Sequence, residues 1–392
     1  MTGAEVPTVR SCVAALLVLG GLALGREAIT LRLVAAGALI VLLAWPEALI
    51  GPSFQMSFAA VIAIVALGEH PRFRAFAAPR EEATWRRGAR GIAVMLLTGF
   101  AVELVLAPIA LFHFHKAGML GAFANLIAIP LTTFAVMPLE AMALLLDLVG
   151  LGGPFWWLTA RALDLLLLIA HGVAANPWAV VMAPTVSTGI FAMIVFGGLW
   201  CLLWRSGWRW AGLLPVAAGV AVIVTTSPPD LLVTGDGRHV AVRTASGGMA
   251  LLRERAGDYV RDLMAESGGY DGDMAAMADL PEARCSIDLC AMALRRGGRT
   301  WRLLVTRSDV LVAKAAFARD CAQADIVIAD RRLPQWCRPR WLKADRALLT
   351  RTGGLAIDLD RLQVRTAKVA GDAHPWIRTS PVRRLRRADP QL

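Results

Sequence analysis

Hydropathy divides this chain in two. Residues 1 to about 226 form a succession of long apolar runs, whereas 227–392 are rich in Arg and Asp. About 20 apolar residues of helix cross a hydrocarbon layer roughly 30 Å thick while satisfying every backbone N–H and C=O internally. The apolar runs at 11–25, 31–50, 52–68, 91–112, 122–149, 155–175, 186–204 and 211–226 therefore read as membrane spans, about eight of them. Only 18% of the residues are charged and 57% are hydrophobic, against about 25% charged in a soluble domain. The expected architecture is an α-helical polytopic membrane domain over 1–226, a soluble α/β domain over 227–378, and a basic disordered tail over 379–392. The N-terminal stretch has no small-residue cleavage pattern, so it does not read as a signal peptide.

Charge orients the spans. Glu69–Arg90 carries six arginines and Trp204–Trp210 carries Arg205 and Arg209; by the positive-inside rule both loops face the cytoplasm. An even number of spans lies between them, and the last span then delivers the soluble domain to the outside. The same count places the N-terminus outside. Lys and Arg outnumber Asp and Glu by 13 to 10 before residue 227 and by 28 to 20 after it. The basic excess of the second half fits a polyanion or an anionic lipid surface equally well.

Within the spans, Leu111–Pro138 concentrates what hydrocarbon does not tolerate. His113, His115 and Lys116 interrupt an apolar run, Asn125 sits inside LIAIPL, and Pro108, Pro130 and Pro138, which remove backbone donors, are expected to break their helices. Such groups at membrane depth face other helices or a water-filled path. Gln55, Glu103, His113, His115, Asn125 and Pro130 are the candidates for lining or shaping one. For Glu103 the alternative is a protonated carboxyl hydrogen-bonding a neighbouring helix. Asp147 and Asp164 are expected near the interfaces, and the tryptophans at 156, 157, 204, 208 and 210 read as the aromatic belt.

In the second half, strands are expected at CAMALRRGG, TWRLLVTR, ADIVIAD and GGLAIDL, with helix from about Asp258 and over Ala313–Ala324. GDGRH (Gly235–His239) reads as a hairpin turn, with anion binding through its amides as the alternative. Four cysteines lie here. If this domain faces an oxidising compartment, Cys285–Cys290 and Cys321–Cys337 is the economical pairing. A zinc site is the competitor, although CSIDLC and C-x15-C do not match a zinc ribbon. No GxxxxGK[ST] loop is present, and His239 and His374 are too few for a dinuclear metallo-hydrolase. No catalytic residues, metal or cofactor are expected, and the chain is not expected to be an enzyme.

Two segments carry a family resemblance. WPEALIGPSFQMSFAAVIAI (Trp45–Ile64) is similar to the Pro…GFQLSF segment of the ComEC-type competence proteins, and FHFHKAGMLGAFANLIAIPLTTFAVMPL (Phe112–Leu139) resembles their HF…G..AN..AIPL…MPL core. The resemblance covers roughly residues 8–225 and starts near Arg10. It implies an inner-membrane channel that passes single-stranded transforming DNA into the cytoplasm, with the lipid bilayer, a cytoplasmic helicase-like ATPase and an outer DNA receptor as partners, and assembly into a homo-oligomer. The soluble domain resembles a degenerate metallo-β-lactamase domain on the outer face. Asp330, Arg331 and Arg332 stand where a HHG metal motif would be. Arg331, Arg332, Arg338 and Arg340 then become candidates for guiding DNA, with Trp336 and Trp341 stacking bases or packing in the core. The family's N-terminal soluble domain and first spans have no counterpart here, which implies an N-terminally truncated member. Two alternatives are a membrane-bound metallo-hydrolase or nuclease and an inactive fragment of the channel.

Overall fold

The computed structural model describes residues 31–368 except Arg205, Glu254, Asp309 and Leu311; the first expected span, Arg10, His374 and the basic tail lie outside them. The chain forms two compact units, 1–226 and 227–392.

In the first unit, α1 (Leu31–Ala44) leads through a 3-10 turn (Pro46–Ile50) into α2 (Pro52–Glu69), with Pro at the first turn of each of the last two, where a missing N–H is harmless. The short α3 (Pro71–Ala77) precedes α4 (Thr84–Phe114), which runs for 31 residues, about 46 Å at 1.5 Å per residue. Its first turns carry Arg86, Arg87 and Arg90 and can stand clear of the hydrocarbon. α4 packs against α2, α5 (Gly121–Leu131) and α8 (Thr188–Leu203), and so organises the unit. α5 continues through a π-helical turn (Thr132–Val136) into α6 (Met137–Asp147); α7 (Gly153–Ala174) packs on α6, and α9 (Leu213–Thr225) packs on α8.

Five helical segments are long and apolar enough to cross a membrane: Pro52–Glu69, Thr84–Phe114, Gly121–Asp147, Gly153–Ala174 and Gly207–Thr225. Leu31–Ala44 and Thr188–Leu203 are apolar but shorter. Seven of the eight expected segments thus appear as apolar helix, five of them at full spanning length.

Two expectations, both about proline, need correction. Pro130 and Pro138 do not break their helix, because the backbone widens into the π turn between them and the Thr132 hydroxyl donates to the carbonyls of Ala128 (2.9 Å) and Ile129 (3.0 Å). Pro108 likewise sits inside a continuous α4. The HFHKAG segment leaves the helix at His115, whose φ of 59° is left-handed. It continues as β1 (Lys116–Gly118), antiparallel to β2 (Val180–Met182).

The second unit packs two sheets face to face. One has the order β11-β10-β9-β8-β7 and the other β13-β12-β3-β4-β5-β6. In the first sheet are β7 (Ala283–Cys285), β8 (Leu289–Arg296), β9 (Arg299–Thr306), β10 (Ile326–Ile328) and β11 (Leu342–Ala344). In the second are β3 (Leu231–Thr234), β4 (Val240–Arg243), β5 (Met249–Leu251), β6 (Ala275–Ala276), β12 (Gly354–Asp358) and β13 (Gln363–Thr366). Alternation along the strands sends side chains both ways. Leu231, Val233, Val240, Val242, Leu303, Val305, Ile326, Ile328 and Ile357 fill the space between the sheets. The intervening residues meet helices outside. Leu232, Ala241 and Leu251 pack under Met264 of α10 (Asp258–Gly268), and Leu304 and Val327 under Phe317 of α11 (Lys314–Gln323). Burial on both faces explains why these strands are near-continuous apolar runs.

Cys285 and Cys290 face each other across the β7–β8 hairpin and are joined as a disulfide, with Cα atoms 4.0 Å apart. Cys321 of α11 is joined to Cys337 with Cα atoms 5.5 Å apart.

Candidate functional site

The polar residues of the first unit divide into three groups. Gln55 and His113 meet: the Gln55 amide nitrogen donates to the Leu49 carbonyl (2.9 Å), and its Oε1 lies 2.9 Å from His113 Nε2. A carbonyl accepts only, so Leu49 fixes the amide orientation and His113 Nε2 must be the donor. The pair links α2 to α4 beside Phe191 of α8, which stacks on Phe112 with ring centroids 4.0 Å apart. Glu103 forms the second group: a Cβ on Gly121 would clash with its Oε1, so the carboxyl sits directly against the start of α5. Gly121 leaves the room for it.

The third group corrects an expectation. Asp164 lies midway along α7 rather than near an interface, and pairs with Arg161 at 3.1 Å; the side chains are 56% and 62% exposed in this chain. A charged pair at mid-span stays clear of hydrocarbon by facing protein or water. Asp147, at the end of α6, accepts from Trp156 Nε1 at 2.8 Å. Asn125 is exposed on α5, and Pro130 precedes the π turn. His115 caps α4, and its carbonyl accepts from the Ala183 N–H at 2.9 Å.

In the second unit, the loops leaving the strands' carboxyl ends enclose a cavity of about 620 Å³ lined by Asp236, Arg238, Asp330, Arg331, Arg346 and Lys368, among others. GDGRH is the hairpin turn between β3 and β4, closed by Gly237 N–H to Thr234 O at 2.9 Å. Gly237 is required there: its φ is 71°, and a Cβ would lie 2.9 Å from the Ala329 carbonyl. The turn therefore touches the loop after β10. Burial tends to raise the Asp236 carboxyl, but the Thr234 hydroxyl, the Arg238 amide and the charges of His239 and Arg238 bring it below the usual carboxylate range.

Asp330 is held by Arg253 (3.4 Å) and the Thr306 hydroxyl (3.4 Å). Arg331 donates to the Val310 carbonyl at 3.0 Å and lines the cavity, whereas Arg332, Arg338 and Arg340 are exposed and do not line it. Trp341 packs at a tilt on Trp301, with centroids 5.0 Å apart, against the core, which favours packing over base stacking; Trp336 meets Phe317 edge-on at 6.0 Å. Arg238, Arg346 and Lys368 come from segments remote in sequence, Arg346 opening a short helix, and no single sequence motif contained them.

A metal pair of the metallo-β-lactamase kind does not fit this end. Asp236 and Asp330 are engaged by hydroxyls, an amide and a guanidinium, and the remaining charged lining residues are cations. Among the described residues, no three His, Cys, Asp or Glu side chains gather as a metal site requires.

Apolar spanning helices followed by a mixed-sheet unit define a multi-pass membrane protein. Its first unit then supplies the family: a model described as "Competence protein" matches residues 1–208, and the chain belongs to that family. It is also 30% identical over 131 residues to the uncharacterized protein YcaI of Escherichia coli K12, an alignment taking in 32% of this chain and 16% of that protein. The chain thus matches only a minor part of that relative's length. No solved structure matches it.

Proposed function

We propose that this chain passes single-stranded DNA across the inner membrane into the cytoplasm during competence. Membership of the competence family supports a role in DNA uptake. The observation that carries the finer reading is the Gln55–His113 hydrogen bond, which joins the first turn of α2 to the last turn of α4 in the family-matched region through polar side chains. A polyanion crosses hydrocarbon only along a polar path. Gln55 and His113 form one wall of it, with Glu103, His115 and Asn125 contributing along α4 and α5. The π turn after Pro130 shapes the helix beside it.

On this reading the arginine-rich segment before α4 lies in the cytoplasm and the α/β unit faces the periplasm, where its disulfides would persist. Its helix–sheet–sheet–helix layering fits a metallo-β-lactamase-like domain that has lost hydrolysis and guides the strand, with Arg331, Arg332, Arg338 and Arg340 at its surface. Motive force comes from a cytoplasmic helicase-like ATPase, and DNA arrives from an outer receptor. A homo-oligomer would enclose the path and cover the exposed face of α7.

Deleting the gene in a competent strain tests this. Labelled DNA should still reach a nuclease-protected outer compartment, while transformants disappear. Normal transformation in the deletion strain refutes the proposal.

A further inference from the structure

The two ends of the α/β unit treat their arginines differently. At the end where β3 begins, the cations meet carboxylates: Arg296 with Asp230 (2.5 Å), Arg299 with Asp325 (2.8 Å) and Arg361 with Asp358 (3.9 Å). At the opposite end, the loops after β3, β5, β9, β10, β11 and β13 bring up basic residues. There, among the described residues, the ion pair is Arg253–Asp330. Among the described residues, other carboxylates of this end are engaged by the protein, Asp288 by the Ser308 hydroxyl. Asp236 closes its own turn, and Asp345 accepts from the amides of Ala347 and Leu348 at 3.1 Å each. The guanidiniums instead meet backbone carbonyls: Arg331 donates to Val310, and Arg307 to Ser286 at 3.0 Å. A carbonyl orients a cation without neutralising it.

This basic end holds two cavities. Beside the one lined by Arg238, Arg331, Arg346 and Lys368 lies a more open one of about 840 Å³, lined by Arg253, Arg255, Arg307 and Ile287. They adjoin, because Arg253 in the second pairs with Asp330 in the first, and Arg331 reaches carbonyls of the loop that follows Arg307. One phosphate would use a single cluster of donors. Successive clusters along a surface fit a chain of phosphates.

We propose that these adjoining cavities form a continuous track that binds the phosphodiester backbone of single-stranded nucleic acid, a site that rests on the DNA-transfer reading. Ile287, 86% exposed, stands at its rim as an apolar contact for a base. Because metal ligands are replaced by cations, the track holds a strand without a means of cutting it.

The test uses the full chain in detergent and a fluorescent oligothymidylate, followed by anisotropy across a salt series. Arg238 and Arg346 are exposed, so the Arg238→Ala/Arg346→Ala variant should keep its fold. Each lost phosphate contact lowers the slope of log affinity against log salt by about 0.7. The double variant should therefore lose about 1.4 in slope and about tenfold in affinity at low salt. Arg295→Ala/Arg361→Ala removes two exposed arginines at the opposite end and should change neither.

Unchanged binding in the first variant, equal loss in the second, or complete displacement by inorganic phosphate at constant ionic strength overturns the track. None of these results touches the passage of DNA through the membrane unit. Weak binding by the first variant together with normal transformation would instead keep the track and remove its role in uptake.

Discussion

Replacing Asp230 by alanine should unfold the α/β unit at temperatures where the unaltered chain keeps it. Asp230 is 7% exposed at the entrance to β3. Its Oδ1 accepts from Arg296 Nε at 2.5 Å and its Oδ2 from the Leu359 N–H at 2.9 Å. Arg296 ends β8 in one sheet, and Leu359 follows β12 in the other, so a single carboxylate ties the sheets together. Arg296 also donates to the carbonyls of Arg243 (2.7 Å) and Thr244 (3.1 Å), which hold its charge in place after the carboxylate is gone. An ion left buried without its partner costs about 3–5 kcal/mol, a large part of the roughly 5–15 kcal/mol that holds a domain together. Tryptic digestion across a temperature series should show early loss of the protected fragment. Arg361→Ala breaks only a 3.9 Å pair whose arginine is 54% exposed, and should behave like the unaltered chain.

Gly197→Val should have an effect of comparable size in the membrane unit. A Cβ at Gly197 would lie 2.5 Å from the Gly212 carbonyl and 2.8 Å from Pro215, and one at Gly212 would lie 2.5 Å from the Gly197 carbonyl. Further along, a Cβ on Gly219 would clash with the Ile194 side chain. The α8 and α9 backbones are therefore in direct contact. Lipid supplies no hydrophobic drive to bring helices together, so this close packing is what holds them. Valine at 197 must push α9 away, and the variant should elute from size exclusion in detergent as aggregate. Gly198 provides the control: a Cβ there meets nothing within 4 Å, so Gly198→Val should elute with the unaltered chain.

The same contrast between apolar runs and packed faces explains what the sequence made legible. Spans were readable because hydrocarbon selects composition over 20 or so residues, and Pro52–Glu69 and Gly153–Ala174 fall close to where the apolar runs put them. Strands such as CAMALRR and TWRLLVT were readable, the second helped by its Thr and Val content, and they form β8 and β9. The β1–β2 ladder was not readable, since three-residue strands have no period to detect. The π turn between Pro130 and Pro138 was missed because proline signals a lost donor but not how the helix accommodates it. Gln55 and His113 were singled out separately; their contact spans 58 residues of sequence and required the fold. The basic cavity is the extreme case. Arg331, Arg332, Arg338 and Arg340 are neighbours in sequence, yet the cavity takes Arg331 alone of these and adds Arg238 from a turn, Arg346 from the start of a short helix and Lys368 from beyond β13.

The most direct test of DNA passage through this chain is capture of the strand in transit. A photo-crosslinking amino acid placed at position 55, in competent cells given labelled DNA, should trap the incoming strand on this protein. The same group at position 104, where Leu104 is 77% exposed on α4, should not. Labelled DNA that reaches the cytoplasm without capture at position 55, or with equal capture at both positions, would contradict a polar path beside Gln55 and His113.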